Sequence, residues 1–367
     1  MATILVTDDD PVTRIFMEEL LRQEGHHVLL AADGQEALVL LEEQDCDLIF
    51  MDIQMPVLDG YLATRRIKAM RPQWFVPVIF LTSVQTDREL AHCLECGGDD
   101  FINKPPSPII LKARIQVWLQ RAKLANRLAM DRQDVENVIL KMRQDTQFDP
   151  RGLRVMMTSL EKTNGDIVLS TCRSDGVQYL MVGDFTGHGL AAAVCGPLVA
   201  DIFYRLTRQD FPLQAIIDQL NDVIYHRLPA NMFMAATFLE LDRPGGGMRV
   251  WNAALPSGVL IRAGMAVQRF PSTRSPLGIT PHLGGNDTSE WYPLSWGDRI
   301  FLFSDGSVET RSATGEFFGD ERLVRFLETL VTSGAELDSL LVELDAFRAG
   351  RDPIDDITLI EVQWVQQ

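Results

Sequence analysis

The 367-residue sequence is short of positive charge and of long hydrophobic segments. Lys and Arg number 34 against 51 Asp and Glu, so the formal net charge is −17 at pH 7. Nucleic acids and anionic membranes bind clustered Lys and Arg, so neither is predicted as a partner. Apolar runs such as "LIFM" and "VIFL" are far shorter than the roughly 20 residues that span a bilayer. The start, "MATILVTDDD", has no basic segment, so we expect no signal peptide and a cytoplasmic protein.

Cysteine is too scattered to predict a zinc or redox site. Cys93 and Cys96 form one CxxC pair, and no second pair accompanies them. Reduced thiols of a cytosolic protein explain this usage better. The sequence also lacks the GK[ST] of a P-loop, the GxSxG of serine hydrolases, HExxH and the EF-hand pattern. The P-loop, serine-hydrolase and zincin interpretations therefore have no support.

Hydrophobic rhythm divides the chain into two domains joined by a long helix. Up to about Arg121, five short apolar runs alternate with helical patterns, which is typical of a parallel sheet covered on both faces. The stretch from Leu111 to Met142 has neither Pro nor Gly and predicts one continuous helix. Alternating hairpin-like strands follow, with helices near 190–228 and 320–349, which predicts a mixed sheet structure with helices outside. The predicted boundaries are 1–122, a helical coiled-coil-like linker at 123–149, and 150–367.

Acidic and polar side chains end the predicted strands of the first domain. Asp8 and Asp9 follow the first strand and Asp52 ends the third. The carboxyl ends of parallel strands meet at one crevice, where each carboxylate pair at ~4 Å would repel by about 4 kcal/mol. A bound Mg²⁺ would relieve this repulsion, and one carboxylate would then be able to accept a phosphoryl group. Thr82 and Lys104 end the fourth and fifth strands, where they would donate to the phosphoryl oxygens.

An acid at a strand end is also a common helix N-cap, and Asp8 or Asp10 alone would fit that role. The full set at successive strand ends fits it much less well. The motifs "VTDDDP", "MDIQMPVLDG", "LTS" and "NKP" resemble the receiver domain of bacterial response regulators over roughly 1–122. The resemblance implies an α/β doubly wound, five-stranded parallel fold and a histidine kinase or phosphotransfer protein as partner.

The same resemblance implies a role for each motif residue. Asp52 would be the phosphoacceptor, and Asp8 and Asp9 would bind Mg²⁺ together with it. The threonine and lysine at the ends of the last two strands would contact the phosphoryl group. Phe101 stands at the aromatic switch position, and the Lys104–Pro105 bond would be cis.

A glycine-rich turn in the second domain carries an acid where a phosphate-binding loop would carry none. The stretch "YLMVGDFTGHGLAAAV" predicts a strand, a turn and the start of a helix. Asp184 stands where a bound phosphate would lie, and the loop has no lysine. Upstream, the turn signal Asp175–Gly176 predicts a hairpin that brings Asp166 opposite Asp184, within one residue of register. Downstream, "DRIFLFSDG" and "DDITLIEVQW", if antiparallel, would bring Asp305 and Asp355 to one end.

Four carboxylates at strand ends would repel one another strongly without cations. Oxygen ligands without a His or Cys pattern favour Mg²⁺ or Mn²⁺ over zinc. Two such ions, about 3.5–4 Å apart, would activate a water and bind a phosphoryl oxygen. The acidic loop would therefore bind the metals, and the metals would bind the phosphate. The glycines of the loop, Gly183, Gly187 and Gly189, would let the backbone approach a metal, with the carbonyl of Phe185 as a candidate ligand.

Structural interpretations of the same residues stay open. "SDG" at 304–306 is also an ordinary turn sequence, Asp356 would serve to cap a turn, and His188 fits a surface or capping position better than a ligand. The motifs "NGDIVL", "VGDFTGHGLAAAV", "WNAALPSGVLI", "GDRIFLFSDGSVETR" and "DDITLIEV" nevertheless resemble the SpoIIE-type branch of the protein phosphatase 2C family over roughly 150–367. The resemblance implies an α+β fold of two packed antiparallel sheets flanked by helices. It places the metal ligands and catalytic carboxylates at Asp166, Asp184, Asp305 and Asp355, with the Phe185 carbonyl.

Two departures from the family pattern accompany this resemblance. "NGD" replaces the usual GGD, and "NAAL", from Asn252 to Leu255, replaces an asparagine-alanine-glycine-histidine segment, which bears on substrate docking rather than on metal binding. One hypothesis is a phosphoserine/phosphothreonine protein phosphatase controlled by the receiver, acting on an anti-sigma-factor antagonist by family analogy. The other is an adaptor that binds a sigma factor or anti-sigma partner without catalysis. The presence of all four carboxylates favours the enzyme.

The long helix carries a narrow apolar seam with alternating four and three spacing. A seam of about three heptads predicts a parallel two-stranded coiled coil, and hence a homodimer through 115–145. Arg121 and Asp131 occupy gaps in the seam and would weaken it. The alternative is a helix that lies on its own phosphatase domain. The seam consists of Val117, Leu124, Leu128, Val135, Val138 and Met142.

Overall fold

The computed structural model describes residues 1–70, 74–83, 87–142, 147–160, 162–187, 189–283 and 290–365, so His188 lies outside the described residues. The chain divides into an N-terminal unit, 1–135, and a C-terminal unit, 136–367. The division falls inside the long helix that links them. The predicted domain boundaries remain predictions.

The N-terminal unit is a parallel five-stranded sheet with helices on both faces, as predicted. The strand order is β2-β1-β3-β4-β5. Strands β3 and β4 are apolar except for their last residues and are buried throughout, because helices cover both sides of the sheet. The elements are β1 Thr3–Thr7, α1 Pro11–Gln23, β2 His27–Ala31, α2 Gly34–Glu43, β3 Leu48–Asp52, α3 Gly60–Met70, β4 Val78–Thr82, α4 Asp87–Glu95, β5 Asp100–Asn103 and α5 Pro108–Met142.

Helix α1 shows which acid of "VTDDDP" caps a helix. The carboxylate of Asp10 accepts hydrogen bonds from the backbone N–H groups of Val12, at 3.1 Å, and of Thr13, at 3.2 Å. It is thus the N-cap, and Pro11 at the first helical position suits the start of the helix. Asp8 does not cap α1, since its Oδ1 accepts instead from the backbone N–H of Asp10 at 3.0 Å.

The C-terminal unit contains two five-stranded antiparallel sheets, of order β13-β10-β9-β8-β7 and β12-β11-β14-β15-β6. The predicted helical block near 190–228 is divided into three helices. The elements are β6 Leu153–Thr158, β7 Asp166–Cys172, β8 Gln178–Phe185, α6 Leu190–Ala193, α7 Gly196–Arg208, α8 Leu213–Arg227, β9 Met234–Asp242, β10 Gly247–Ala253, β11 Gly258–Arg262, β12 Met265–Phe270, β13 Trp291–Pro293, β14 Arg299–Phe303, α9 Asp305–Glu309, α10 Asp320–Ser333, α11 Ser339–Arg348 and β15 Ile357–Gln363.

Three hydrophobic layers hold the C-terminal unit together. Residues such as Val182 and Leu239 of the first sheet pack with Ile300 and Ile360 of the second, forming the core between the sheets. The other face of the first sheet packs against α7 and α8. The other face of the second sheet packs against α10 and α11. This is the predicted arrangement of two packed sheets flanked by helices.

The stretch Leu190–Arg208 is long and apolar enough to cross a membrane, judged by length and composition alone. Val199, Ile202 and Phe203 from this stretch are buried in the core against the first sheet. The stretch therefore covers the hydrophobic face of the first sheet, which explains why it is rich in apolar residues.

Candidate functional sites

Three carboxylates meet at the carboxyl ends of β1 and β3. The carboxylate oxygens of Asp8, Asp9 and Asp52 lie within 4.8 Å of one another, and these residues form the one such group among the described His, Cys, Asp and Glu residues. Asp8 and Asp52 are buried, whereas Asp9 is exposed. The prediction that these strand ends converge is confirmed. A hard divalent cation fits this donor set, because it has only carboxylate oxygens and concentrated negative charge.

Lys104 supplies the positive charge of this crevice. Its Nζ lies 2.7 Å from Oδ2 of Asp8 and 2.9 Å from Oδ1 of Asp52. The cis Lys104–Pro105 bond, expected from the family resemblance, is confirmed. Burial raises the pKa of Asp52, repulsion from Asp8 adds to the rise, and Lys104 opposes it. A neutralising cation would therefore favour the ionised form of Asp52.

The remaining predicted residues of this site lie on β4 and β5. Thr82 ends β4 and is fully buried, and its carbonyl accepts the backbone N–H of Lys104 at 2.8 Å. Phe101 lies on β5, half-buried against the core cluster of the sheet. The structure thus places the threonine, the lysine and the aromatic residue on or directly after adjacent strands.

Gly60 is a residue of this site that sequence reasoning missed. Its backbone N–H donates to the carbonyl of Ile53 at 3.0 Å. A Cβ at this position would lie 2.0 Å from the carbonyl oxygen of Asp52. Only glycine fits so close to the backbone of the acid, so Gly60 fixes the position of the chain around Asp52. The signal was present in "MPVLDG", but its reason depends on how the helix packs.

In the C-terminal unit, Asp166 and Asp184 face each other across β7 and β8. The register pairs Asp166 with Asp184 directly, which confirms the hairpin prediction. Strands β14 and β15 are antiparallel, as predicted, and Asp305 and Asp355 lie at the same end of the pair. The four carboxylates come within electrostatic range of one another, because Asp305 and Asp355 both act on the pKa of Asp184.

The pKa values of these carboxyls report mutual repulsion. Burial raises the pKa of Asp184, and the charges of Asp166, Asp305 and Asp355 raise it further. Burial also raises the pKa of Asp166, against the opposing effect of its hydrogen bonds. The pKa of Asp305 is raised by burial and then by Asp355. Divalent cations would offset the repulsion that adds to the effect of burial, so the residues present fit a metal centre.

Two buried hydroxyl groups hold Asp166, and sequence reasoning did not find them. The hydroxyl of Thr358 donates to Oδ2 of Asp166. Ser304 also hydrogen-bonds the carboxylate, and its Oγ accepts the backbone N–H of Thr358 at 2.9 Å. Both residues are fully buried. They lie on or next to the paired strands β14 and β15, so the sheet itself orients the carboxylate.

Asp356 is a positioning residue rather than a fifth candidate ligand. Its carboxylate accepts the backbone N–H groups of Leu160, at 2.7 Å, and of Gly165, at 2.8 Å. It thereby holds the loop that leads into Asp166. On the other side, a Cβ at Gly306 would lie 2.0 Å from the carbonyl oxygen of Asp356. The "SDG" at 304–306 is therefore more than a turn: it begins α9 in close contact with the start of β15.

Two of the three glycines in the glycine-rich loop adopt backbone conformations that favour glycine. Gly187 and Gly189 have φ values of 85° and 70°, which L-residues rarely adopt. Phe185 is buried at the end of β8, and its carbonyl lies next to Gly165, which precedes Asp166. The loop thus brings a backbone oxygen near the carboxylate pair.

The departing segment Asn252–Leu255 keeps a glycine-like turn without glycine. Ala254 has φ of 69°, the left-handed region. Nδ2 of Asn252 donates to the carbonyls of Leu255, at 3.2 Å, Pro256, at 3.2 Å, and Phe270, at 3.1 Å. Asn252 thus holds the turn together, and the alanine takes the backbone strain.

Residues 174–365, more than half of the 367-residue chain, match the family described as Stage II sporulation protein E (SpoIIE). The chain belongs to the SpoIIE family. Residues 4–116 match the response regulator receiver domain, so the protein joins a receiver to a SpoIIE-type domain. The long helix α5 links the two.

Two similar proteins each match part of the chain. The chain is 34% identical over 164 residues to the transcriptional regulatory protein AfsQ1 of Streptomyces coelicolor, covering 43% of this chain and 71% of AfsQ1. It is 37% identical over 120 residues to the response regulator GtcR of Aneurinibacillus migulanus, covering 33% of this chain and 48% of GtcR. The chain thus spans about half the length of GtcR.

A solved structure supports the fold of the second half. The SiaA-PP2C domain of Pseudomonas aeruginosa aligns with a TM-score of 0.54 and 20% identity, covering 65% of this chain and 99% of that domain. At that identity the likeness concerns the fold. The SpoIIE-type domain therefore has the architecture of protein phosphatase 2C domains, as the resemblance implied.

Proposed function

We propose that this protein is a response regulator in which phosphorylation of Asp52 controls a metal-dependent phosphoserine/phosphothreonine protein phosphatase. One observation carries the proposal: Asp166, Asp184, Asp305 and Asp355 come together from four strand ends, and burial together with neighbouring carboxylates raises the pKa of Asp166, Asp184 and Asp305. Such repulsion would be selected against in an adaptor that had lost catalysis. It is useful where divalent cations must be bound.

In the receiver, the residues of the crevice have separate tasks. A carboxylate oxygen of Asp52 would attack the phosphorus, forming an acyl phosphate while the bond from phosphorus to the donor breaks and the donor group leaves with the bonding electrons. Lys104, whose Nζ lies 2.9 Å from Oδ1 of Asp52, would pair with the negative charge of the transferred phosphoryl group. Asp8 and Asp9 would hold Mg²⁺, which neutralises charge on the phosphoryl oxygens when bound. The hydroxyl of Thr82 would donate a hydrogen bond to the new phosphoryl group and so report the modification to β4.

In the phosphatase domain, the four carboxylates and the Phe185 carbonyl would hold two Mn²⁺ or Mg²⁺ ions. When bound, such ions activate a water and polarise the phosphoryl group. Ser304 and Thr358 fix Asp166 by hydrogen bonds, and Asp356 fixes the loop before it. These hydrogen bonds hold the carboxylate of Asp166 in its orientation, because repulsion between the carboxylates would otherwise rotate their side chains away from one another.

We further propose that the protein is a homodimer through residues 115–145 of the long helix. The hydrophobic side chains of the predicted seam are exposed in the single chain, with Leu124 at 61% and Leu128 at 71%. Pairing the helix with that of a second copy would bury these apolar side chains and so stabilise a dimer. Phosphorylation of Asp52 would alter how the receivers sit on the coil, and a differential contact of about 1–3 kcal/mol would suffice for a useful change in activity.

The partners of the proposed activity follow from the families. A histidine kinase or phosphotransfer protein would phosphorylate the receiver, and a small anti-sigma-factor antagonist is the proposed substrate. Both reactions would take place in the cytoplasm, where the five thiols of the chain would stay reduced.

Hydrolysis of a generic aryl phosphate, with and without Mn²⁺, tests the proposal. We expect turnover only with Mn²⁺ or Mg²⁺, and none for Asp184→Asn. Acetyl phosphate with Mg²⁺ should label the wild-type protein and leave Asp52→Asn unlabelled. Equal turnover in EDTA, or equal label on the Asp52→Asn variant, would show that the assignment is wrong.

A further inference from the structure

Next to the carboxylate centre, the phosphatase domain has a small pocket lined with arginine. The cavity has a volume of about 60 Å³, and its walls include Arg311, Arg348, Arg351 and Asp355. A cavity needs about 10–15 Å³ to hold one water, so this one has room for a carboxylate or a group of similar size. The concentration of guanidinium groups is unusual in a chain with a net charge of −17.

Three separate segments bring the arginines together. Arg311 follows α9, Arg348 ends α11 and Arg351 precedes β15. Nη2 of Arg351 donates to the carbonyl of Ala313 at 2.6 Å, which fastens the turn after Arg311. The guanidinium of Arg311 lies 4.4 Å from the ring centroid of Phe317. The pocket is thus a built feature rather than three mobile side chains on one helix.

The arginines of the pocket are balanced by Asp345, Asp352 and Asp355, so the pocket favours an anion when the proposed metals take up the charge of Asp355. Arg348 forms an ion pair with Asp345 on its own helix, and Asp352 also lines the cavity. Asp355, the other acid of the wall, belongs to the proposed metal centre. The guanidinium of Arg351 has five N–H donors, of which the Ala313 carbonyl takes one. Its planar fork matches a carboxylate.

The position of the pocket relative to the proposed metal centre limits which anion it would bind. Asp355 is the carboxylate of the proposed centre that lines it, while Asp166 and Asp184 do not. The pocket therefore lies beside the centre rather than over it, and an anion within it is not the phosphoryl group under attack. We propose that it binds an acidic side chain of the phosphoprotein substrate that flanks the phosphoserine or phosphothreonine. This inference rests on the proposed phosphatase function.

The test measures binding without requiring catalysis. Fluorescence anisotropy would follow two labelled peptides that carry a non-hydrolysable phosphonate analogue of phosphoserine, one flanked by aspartates and the other by asparagines. Full-length wild-type protein should bind the aspartate peptide about three- to tenfold more tightly, the size expected for a charge-assisted contact at a partly exposed site. The preference should shrink in high salt, because salt screens exposed charges.

Arg351→Gln and Arg311→Gln should each abolish most of this preference and leave aryl-phosphate hydrolysis unchanged. Arg325→Gln is the matched control, since Arg325 is an exposed arginine of α10 that does not line the pocket. Thermal melting would confirm that all three variants fold. Equal affinity of the wild type for both peptides, or equal effects of Arg351→Gln and Arg325→Gln, would overturn the inference. A wild-type protein that does not hydrolyse aryl phosphate at all would instead count against the proposed function. The failure of this inference and the failure of the proposed function are therefore distinguishable.

Discussion

Asp166 and Asp184 lie directly opposite each other on antiparallel strands, with both carboxyls at the same end of the hairpin. Burial raises the pKa of Asp184, and the charges of Asp166, Asp305 and Asp355 raise it further. Without cations, the buried carboxyl is therefore harder to ionise than a carboxyl in water. The centre is therefore under electrostatic strain unless cations bind, and this strain has measurable consequences.

Asp184→Asn should stabilise the metal-free protein. The folded-state pKa of Asp184 is raised above its value of about 3.9 in the unfolded chain. The stability associated with the protonated carboxyl is therefore fully present below that unfolded value and is lost as the pH rises toward the folded value. Asparagine cannot ionise, so in EDTA at pH 8 the variant should melt higher by the equivalent of roughly 1–2 kcal/mol.

Melting curves of the wild type and of the variant, at pH 5 and at pH 8, would check this. The gain should be larger at pH 8 than at pH 5, and saturating Mn²⁺ should reverse it by stabilising only the wild type. An Asp184→Asn variant that melts lower than the wild type in EDTA at pH 8 would contradict the account of the centre.

Thr358→Val should weaken metal binding without unfolding the protein. The change removes the hydroxyl that donates to Asp166 and keeps the branched shape of a strand residue. Partners of ligand residues typically affect metal affinity or activity by about 10–100-fold. The Mn²⁺ concentration for half-maximal aryl-phosphate hydrolysis should rise accordingly. Thr358→Ser keeps the donor and should restore much of the affinity; if valine and serine behaved alike, the hydroxyl would have no positioning role.

Ala254→Gly should stabilise the protein. Ala254 has φ of 69°, which costs an L-residue about 1–2 kcal/mol, and glycine adopts this conformation without that cost. The greater freedom of glycine in the unfolded chain offsets part of the gain, so we expect about 0.5–1 kcal/mol in denaturant unfolding. The neighbouring Ala253→Gly, in strand β10, is the control and should destabilise. If Ala254→Gly also lowered the free energy of unfolding, this prediction would be wrong. The methyl group of Ala254 would then stabilise the fold by more than the backbone strain at this position destabilises it.

The double variant Leu128→Glu and Val135→Glu should be monomeric by sedimentation and should no longer respond to phosphorylation of Asp52. Both side chains belong to the exposed seam of α5, where a charge would face its copy across the coil. Gln120→Glu with Gln133→Glu adds the same charge at exposed positions off the seam and should leave the dimer intact. If the seam double variant stayed dimeric and still responded, the coupling would run through direct domain contacts instead.

The placement of the main acids was predictable because local rules determine it. The turn at Asp175–Gly176 fixed the hairpin register, which placed Asp166 opposite Asp184. In the receiver, near-continuous apolar strands alternating with helices predict a parallel sheet, and the carboxyl ends of such strands converge. Whether these residues bind metal and phosphoryl groups as proposed stays a prediction.

The supporting residues were not predictable, because their roles arise from contacts between distant segments. Thr358 looks like an ordinary strand residue until β15 is paired with β14 and the carboxylate of Asp166 is in place. Gly60 and Gly306 lie in turn-like sequences, and only packing shows that a Cβ would meet a carbonyl oxygen at each. Asp355 and Asp356 are adjacent acids just before β15, and only the packed chain shows that Asp356 accepts the backbone N–H groups of Leu160 and Gly165.

The central claim is that the receiver controls the phosphatase in the same chain. Its most direct test is the rate of aryl-phosphate hydrolysis by the Mn²⁺-loaded, full-length protein before and after treatment with acetyl phosphate and Mg²⁺, with Asp52→Asn treated in the same way. We predict a change of about fivefold or more for the wild type, corresponding to a coupling of about 1 kcal/mol or more, and no change for the variant. An active wild-type enzyme whose rate stays the same after labelling of Asp52, or an Asp52→Asn variant that changes as much as the wild type, would contradict the claim.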